Sequence, residues 1–177
     1  MDSMNELKHL INRNHLTGIK NQVIQQISEN DSGTIFFYDF SKIEAINSSG
    51  IDVILEQVIK YLIDNEVDKY LYVKNLSDEF EHVFNIERSL HIGNIVMIGE
   101  LGGKPHFLGR ISQPLLEVLE ITYEHKEITA RDLADHLGKQ LSLMSTHLNS
   151  LYKKRLIIKK EDFLIEGGRQ FIYKSLF

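Results

Sequence analysis

The sequence predicts an α/β domain with a parallel sheet, followed by a smaller α+β domain of helices and a hairpin. Three observations carry that expectation. Strand-like and helix-like runs alternate from Thr34 to Gly99, the order of a parallel sheet with crossover helices. The stretch from Ile128 to Lys174 instead reads helix, turn, helix and two strand-like runs. Charge divides in the same way: residues 1–103 hold 8 Lys/Arg and 16 Asp/Glu, net −8, and residues 104–177 hold 12 and 9, net +3. An acidic part joined to a mildly basic one fits two domains, with any nucleic-acid contact in the second. The expected boundaries are 1–99 for the first domain, 100–110 for a linker and 111–177 for the second.

Asn5 to Asn30 has helical character, with a break expected near Thr17-Gly18. Thr34 to Phe40, TIFFYDF, is β-rich and almost wholly apolar, the pattern of a buried strand. Ile51, Ile54, Leu55, Val58, Ile59 and Leu62 then form one helical stripe. Tyr70 to Val73 predicts a second strand. Ser77 to Leu90 predicts a helix with Phe80, Val83 and Phe84 inward and Asp78 and Glu79 at a solvated start. Asn94 to Gly99 predicts a third strand. Gly102-Gly103-Lys104-Pro105 and Gly109 punctuate the chain and mark the linker. Pro114 suits the first turn of a helix over 112–125.

The C-terminal pattern is more specific. Leu133, Ala134 and Leu137 share one helix face, and Gly138 ends that helix, because glycine reaches left-handed angles without steric cost. Ser142 to Lys154 predicts a second helix, with Met144, Leu148 and Leu151 inward and Ser142, Ser145, Thr146, Asn149 and Lys153 outward. The runs 157–165 and 170–176 predict two strands joined through Glu166-Gly167-Gly168-Arg169, a hairpin signal.

Leu133, Ala134, Leu137, Gly138, Ser145, His147, Leu148, Leu151, Leu156, Ile157, Gly167, Gly168 and Arg169 together resemble the winged helix-turn-helix of bacterial transcription regulators. The resemblance implies that the second helix enters the major groove of DNA. Ser142, Ser145, Thr146 and Asn149 would then meet phosphates or base edges. Lys153, Lys154 and Arg155 would flank a backbone, and Arg169 at the wing would enter the minor groove. This chain departs from the pattern in particular places. Thr146 stands where many relatives carry Arg or Lys, Lys139 where an apolar residue is usual, and Arg155 where glycine is common. Leu141 and Leu143 occupy usually polar positions.

In the first half, Asp39 to Leu55 reads as a strand end, a short loop with Ile43 and Ile46, and Asn47-Ser48-Ser49-Gly50 opening a helix. This segment resembles the STAS domain of bacterial anti-sigma factor antagonists and the shorter STAS-like domains. In that family a Ser at this place is phosphorylated by a partner kinase, which implies Ser48, with Ser49 second, as the acceptor. A helix N-terminus stabilises added phosphate charge. Asn47 stands where the family carries Asp. Asn47 and Ser48 also suit plain helix capping.

The remaining composition narrows the function. There is no cysteine, so disulfides and thiolate metal sites are excluded. No apolar run approaches the ~18 residues of a membrane span, and the N-terminus lacks a signal-peptide pattern. The eight histidines are scattered, with no His-x-x-x-His pair on one helix. No nucleophile–base set, phosphate loop or metal motif stands out, so an enzyme, a cofactor and a metal are not expected. The expectation is a cytoplasmic, homodimeric bacterial transcription regulator. It would bind double-stranded DNA through its second domain and a protein partner through its first. The alternative is a partner-switching adaptor whose winged helix contacts protein.

Overall fold

The computed structural model describes residues 8–77, 79–163 and 169–177. They divide into two compact units, one ending at Arg110 and the other running from Ile111 to Phe177.

In the first unit β1 (His9–Leu10) pairs in parallel with β3 (Ala45–Ile46). Helix α1 (Arg13–Glu29) starts after Asn12, whose side chain accepts from the His15 N–H and caps the first turn. Its buried stripe is Leu16, Ile19, Val23 and Ile27. The break expected at Thr17-Gly18 does not form. Thr17 turns its hydroxyl back onto the Arg13 carbonyl at 2.8 Å, and Gly18 faces open space, so the helix continues through both. β2 (Ile35–Asp39) leads through β3 to a helix α2 over residues 48–65. That helix has an α-helical start at Ser48–Ile51, a π-helical turn at Asp52–Glu56 and an α-helical end at Gln57–Asn65. Then follow β4 (Tyr70–Lys74), α3 (Phe80–Gly93), β5 (Val96–Leu101) and β6 (Lys104–Gly109).

The sheet order is β2-β4-β5-β6, with the first three strands parallel and β6 antiparallel to β5. Phe36, Tyr38, Leu71, Val73 and Met97 of the sheet join Leu16, Val23, Ile54, Leu55 and Leu90 of the helices in one core. The mixed α/β character expected from the alternating pattern is present. The linker over 100–110 is not. Leu101 pairs with Lys104 and Val96 with Gly109, so this stretch completes a hairpin. Gly102 and Gly103 both have positive φ (58° and 79°), as a two-residue hairpin turn of mirror-image type requires. Pro105 is tolerated because β6 is an edge strand. The punctuation marked a turn between strands rather than a gap between domains.

Helix α3 runs a turn further than expected, to Gly93, with Asn94 in the left-handed region after it. Its buried side chains are Ile86, Ser89 and Leu90, and Phe84 is 47% exposed. Asp78 and the side chain of Phe80 lie outside the described residues. Lys69, just before β4, is buried. Its ammonium donates to the carbonyls of Ile27 (2.7 Å) and Ser28 (3.4 Å) and pairs with Glu66 at 2.8 Å. A cation thus closes the negative end of α1.

Tyr38 is fully buried, and its hydroxyl has no hydrogen-bond partner among the described residues. Leaving a buried polar group unpaired costs about 1–3 kcal/mol. Tyr38→Phe is therefore expected to leave stability unchanged or raise it, measured by urea denaturation. Burial also pushes the phenol pKa upward. An unfolded tyrosine titrates near ~10. The stability held by the neutral phenol is thus intact below that pH and is lost as pH rises beyond it. The variant should lose less stability than the parent above pH ~10. A clear destabilisation with an unchanged alkaline limb would contradict this.

The second unit contains α4 (Gln113–His125), β7 (Glu127–Thr129), α5 (Ala130–Leu137), α6 (Leu141–Lys153), β8 (Ile158–Phe163) and β9 (Arg169–Lys174). Its sheet is antiparallel in the order β7-β9-β8. Ile128 and Thr129 are strand rather than the helix expected there. Thr129 accepts from the Asp132 N–H while Asp132 accepts from the Thr129 N–H, a reciprocal cap that starts α5 one residue later. Glu166, Gly167 and Gly168, expected at the hairpin tip, lie outside the described residues. With the division after Arg110, residues 1–110 hold 10 Lys/Arg and 16 Asp/Glu, net −6. Residues 111–177 hold 10 and 9, net +1, so the second unit is less basic than the sequence halves suggested.

Candidate nucleic-acid interface

Gly138-Lys139-Gln140 join α5 to α6. Gly138 is left-handed (φ 61°, ψ 36°) and its N–H reaches the Ala134 carbonyl. The Gln140 carbonyl accepts from the N–H groups of Leu143 and Met144 and so begins α6. Met144, Leu148 and Leu151 are buried. That fixes the rotation of α6 and leaves Ser142, Ser145, Thr146 and Lys153 exposed. Thr146 donates its hydroxyl to the Ser142 carbonyl at 2.8 Å, one turn back.

The polar row of α6 faces the hairpin. Ser145, Thr146 and Asn149 line one groove with Lys159, Phe171 and Tyr173. Lys159 sits in an aromatic surround, 3.9 Å from the Phe171 ring centre, 5.5 Å from Tyr152 and 5.9 Å from Tyr173. Its ammonium donates to Asn149 Oδ1 at 3.4 Å, so Asn149 is half-buried and engaged. Arg169, exposed, pairs with Glu161 at 3.2 Å. Exposed ion pairs contribute only ~0–1 kcal/mol, so a phosphate can displace Glu161.

Arg155 corrects an expectation. It is 8% exposed, with φ 62° and its N–H on the Tyr152 carbonyl, and its guanidinium lies over the Tyr152 ring. Buried there, it does not flank a DNA backbone. The positive φ accounts for the glycine common at this place. Lys154 is half-buried at the helix end, and Lys153 is exposed.

The structure adds residues that the sequence reading missed. Arg131, in the first turn of α5, is exposed and makes no side-chain hydrogen bond or ion pair among the described residues. Arg131, Arg169, Leu141, Ser145 and Phe171 line one concavity of about 340 Å³. Asp132 three residues after Thr129 was the legible signal, since that spacing marks a helix start. The aromatic surround of Lys159 depends on β8–β9 register and leaves no local signal.

In the first unit, Asn47 accepts from the Gly50 N–H at 2.9 Å and caps α2. Ser48 is exposed and Ser49 half-buried, and neither hydroxyl makes a hydrogen bond among the described residues. One turn on, Arg13 is paired with Asp52, which also accepts from Gln57 at 3.1 Å. His125 and His136, distant in sequence, have ring centres 5.7 Å apart. Among the described residues no group of three or more His, Asp or Glu side chains is placed to hold a metal ion. Among them, too, no helix is long and apolar enough to cross a membrane. No protein-family model, curated protein or solved structure matches this chain.

Proposed function

We propose that this chain is a DNA-binding transcription regulator, with a winged helix-turn-helix over residues 111–177 and a STAS-like regulatory unit before it. The observation that carries the reading is the polar row of α6, Ser142, Ser145 and Thr146, exposed beside the hairpin with Arg131 and Arg169 at its flank. Small hydroxyl side chains suit base edges and phosphates, and the cations suit the backbone on either side. Lys153 continues that basic edge at the helix end. A homodimer would set two such helices about 34 Å apart, one turn of DNA.

Alanine at Arg131, Lys153 or Arg169 is expected to weaken binding to duplex DNA of any sequence. Each change should reduce the dependence of affinity on salt by about one phosphate contact. Fluorescence anisotropy of a labelled duplex measures this. Binding that is indifferent to all three changes would sink the reading.

The first unit would serve a protein partner, with Ser48 or Ser49 as a phosphorylation switch at the N-terminus of α2. Support comes from the exposed Ser48 hydroxyl at a helix start. Peptide mapping of protein from its native cells checks this, and unmodified Ser48 and Ser49 throughout would count against it.

A second reading, a partner-switching adaptor that touches no DNA, is favoured by the exposed Leu141, Leu143, Phe163 and Phe171 and by the net charge of only +1. A folded protein that fails to bind duplex at low salt would favour this adaptor.

A further inference from the structure

Resting on the DNA-binding reading, we propose that Leu141 and Phe171 form an apolar recess that reads the 5-methyl group of thymine in the major groove. Leu141 is the first residue of α6 and is 46% exposed. Phe171, on β9, is 43% exposed. Both line the concavity that also holds Ala130, Arg131, Ser145 and Arg169. A helix that enters the major groove brings its N-terminal residues to the base edges. Leu141 is therefore at the place where bases are read, with a side chain that cannot form a hydrogen bond.

The chemistry of the groove identifies the occupant. The thymine methyl is the one apolar group on a major-groove base edge. Adenine, guanine and cytosine offer donors and acceptors there. Leu141 and Phe171 themselves offer those groups no hydrogen bond, so at these two side chains only the thymine methyl gains a matching contact. Arg131 and Arg169 on the same concavity complement phosphates on either side of the base, and such contacts fix the register of a protein on its duplex. Apolar walls with cationic neighbours thus select a thymine within a charged backbone.

The test uses the full chain and a pool of random-sequence DNA duplexes. Bound duplexes are enriched and sequenced, and each thymine is then replaced singly by deoxyuridine, which lacks only the methyl group. One thymine in each recognised half-site should be sensitive, with affinity falling roughly fourfold, the value of one buried methyl. Leu141→Ala should bind the thymine duplex about as weakly as the parent binds the deoxyuridine duplex, and should no longer distinguish the two. Leu141→Met, still apolar, should keep the distinction. The inference is overturned if no position responds to deoxyuridine, or if Leu141→Ala responds as the parent does. Failure to bind any duplex overturns both this inference and the reading beneath it.

Discussion

Replacing Gly50 by alanine is expected to destabilise the first unit severely. A Cβ at Gly50 would stand 1.8 Å from the Leu10 carbonyl oxygen and 2.5 Å from its carbon. Neither is a flexible side-chain end that can swing away. Leu10 is fully buried, its strand pairs with β3, and its carbonyl accepts from the Asn47 N–H at 3.2 Å. To admit the methyl group, β1 must leave β3 or the first turn of α2 must unwind. Overpacking that shifts backbone costs about 1–3 kcal/mol and occasionally more, a large share of the about 5–15 kcal/mol that holds a domain together. Urea denaturation followed by circular dichroism measures the loss, and a cost below about 1 kcal/mol would contradict the account. The glycine of Asn-Ser-Ser-Gly is thus explained by β1 crossing the helix start, independently of any role for the serines.

Lys69→Met should be nearly as damaging. Methionine matches the length of the lysine stem but supplies no donor. The Ile27 and Ser28 carbonyls at the end of α1 would lose their cation, and Glu66 would lose the ammonium that pairs with it. Removing one member of a buried pair costs about 3–5 kcal/mol, and the partial exposure of Glu66 puts the loss here at the lower end of that range. The pH dependence gives a second signature. The hydrogen bond from Lys69 holds the Glu66 carboxyl below the usual carboxylate range, aided by one from Tyr61. Stability from this pair is therefore fully present above the unfolded-state pKa and is lost as pH falls through the folded one. The parent should weaken in acid by this route, and Lys69→Met should not. Equal acid sensitivity in both proteins would count against the pair.

Much of the fold was legible because periodicity survives in single segments. TIFFYDF and the Ile51–Leu62 stripe are such segments, and both form the elements expected. Turn chemistry was less legible. Gly102-Gly103 marks a hairpin or a linker equally well until Leu101 is seen opposite Lys104. Ile128-Thr129 runs directly into α5 in sequence, yet its strand pairs with β9, a partner more than forty residues away. Long-range pairing of this kind overrides local pattern.

The candidate site divides in the same way. Ser142, Ser145 and Thr146 follow from the rotation that Met144, Leu148 and Leu151 impose on α6. Arg155 did not follow, because its burial depends on the turn after α6, where φ is positive. Lys159 and Phe171 were hidden by register, since only the antiparallel pairing of β8 with β9 puts them on one face.

The most direct test of the central claim is a salt titration of DNA binding by the intact protein. Arg131, Lys153 and Arg169 are the exposed cations assigned to the backbone. Three phosphate contacts per copy predict that log affinity falls with log salt at a slope of about −3, or about −5 for a dimer on two half-sites. Binding should be measurable near 50 mM salt and lost steeply toward about 200 mM. A folded protein that binds no duplex at the lower salt, or binds with an affinity that salt does not change, would contradict the account.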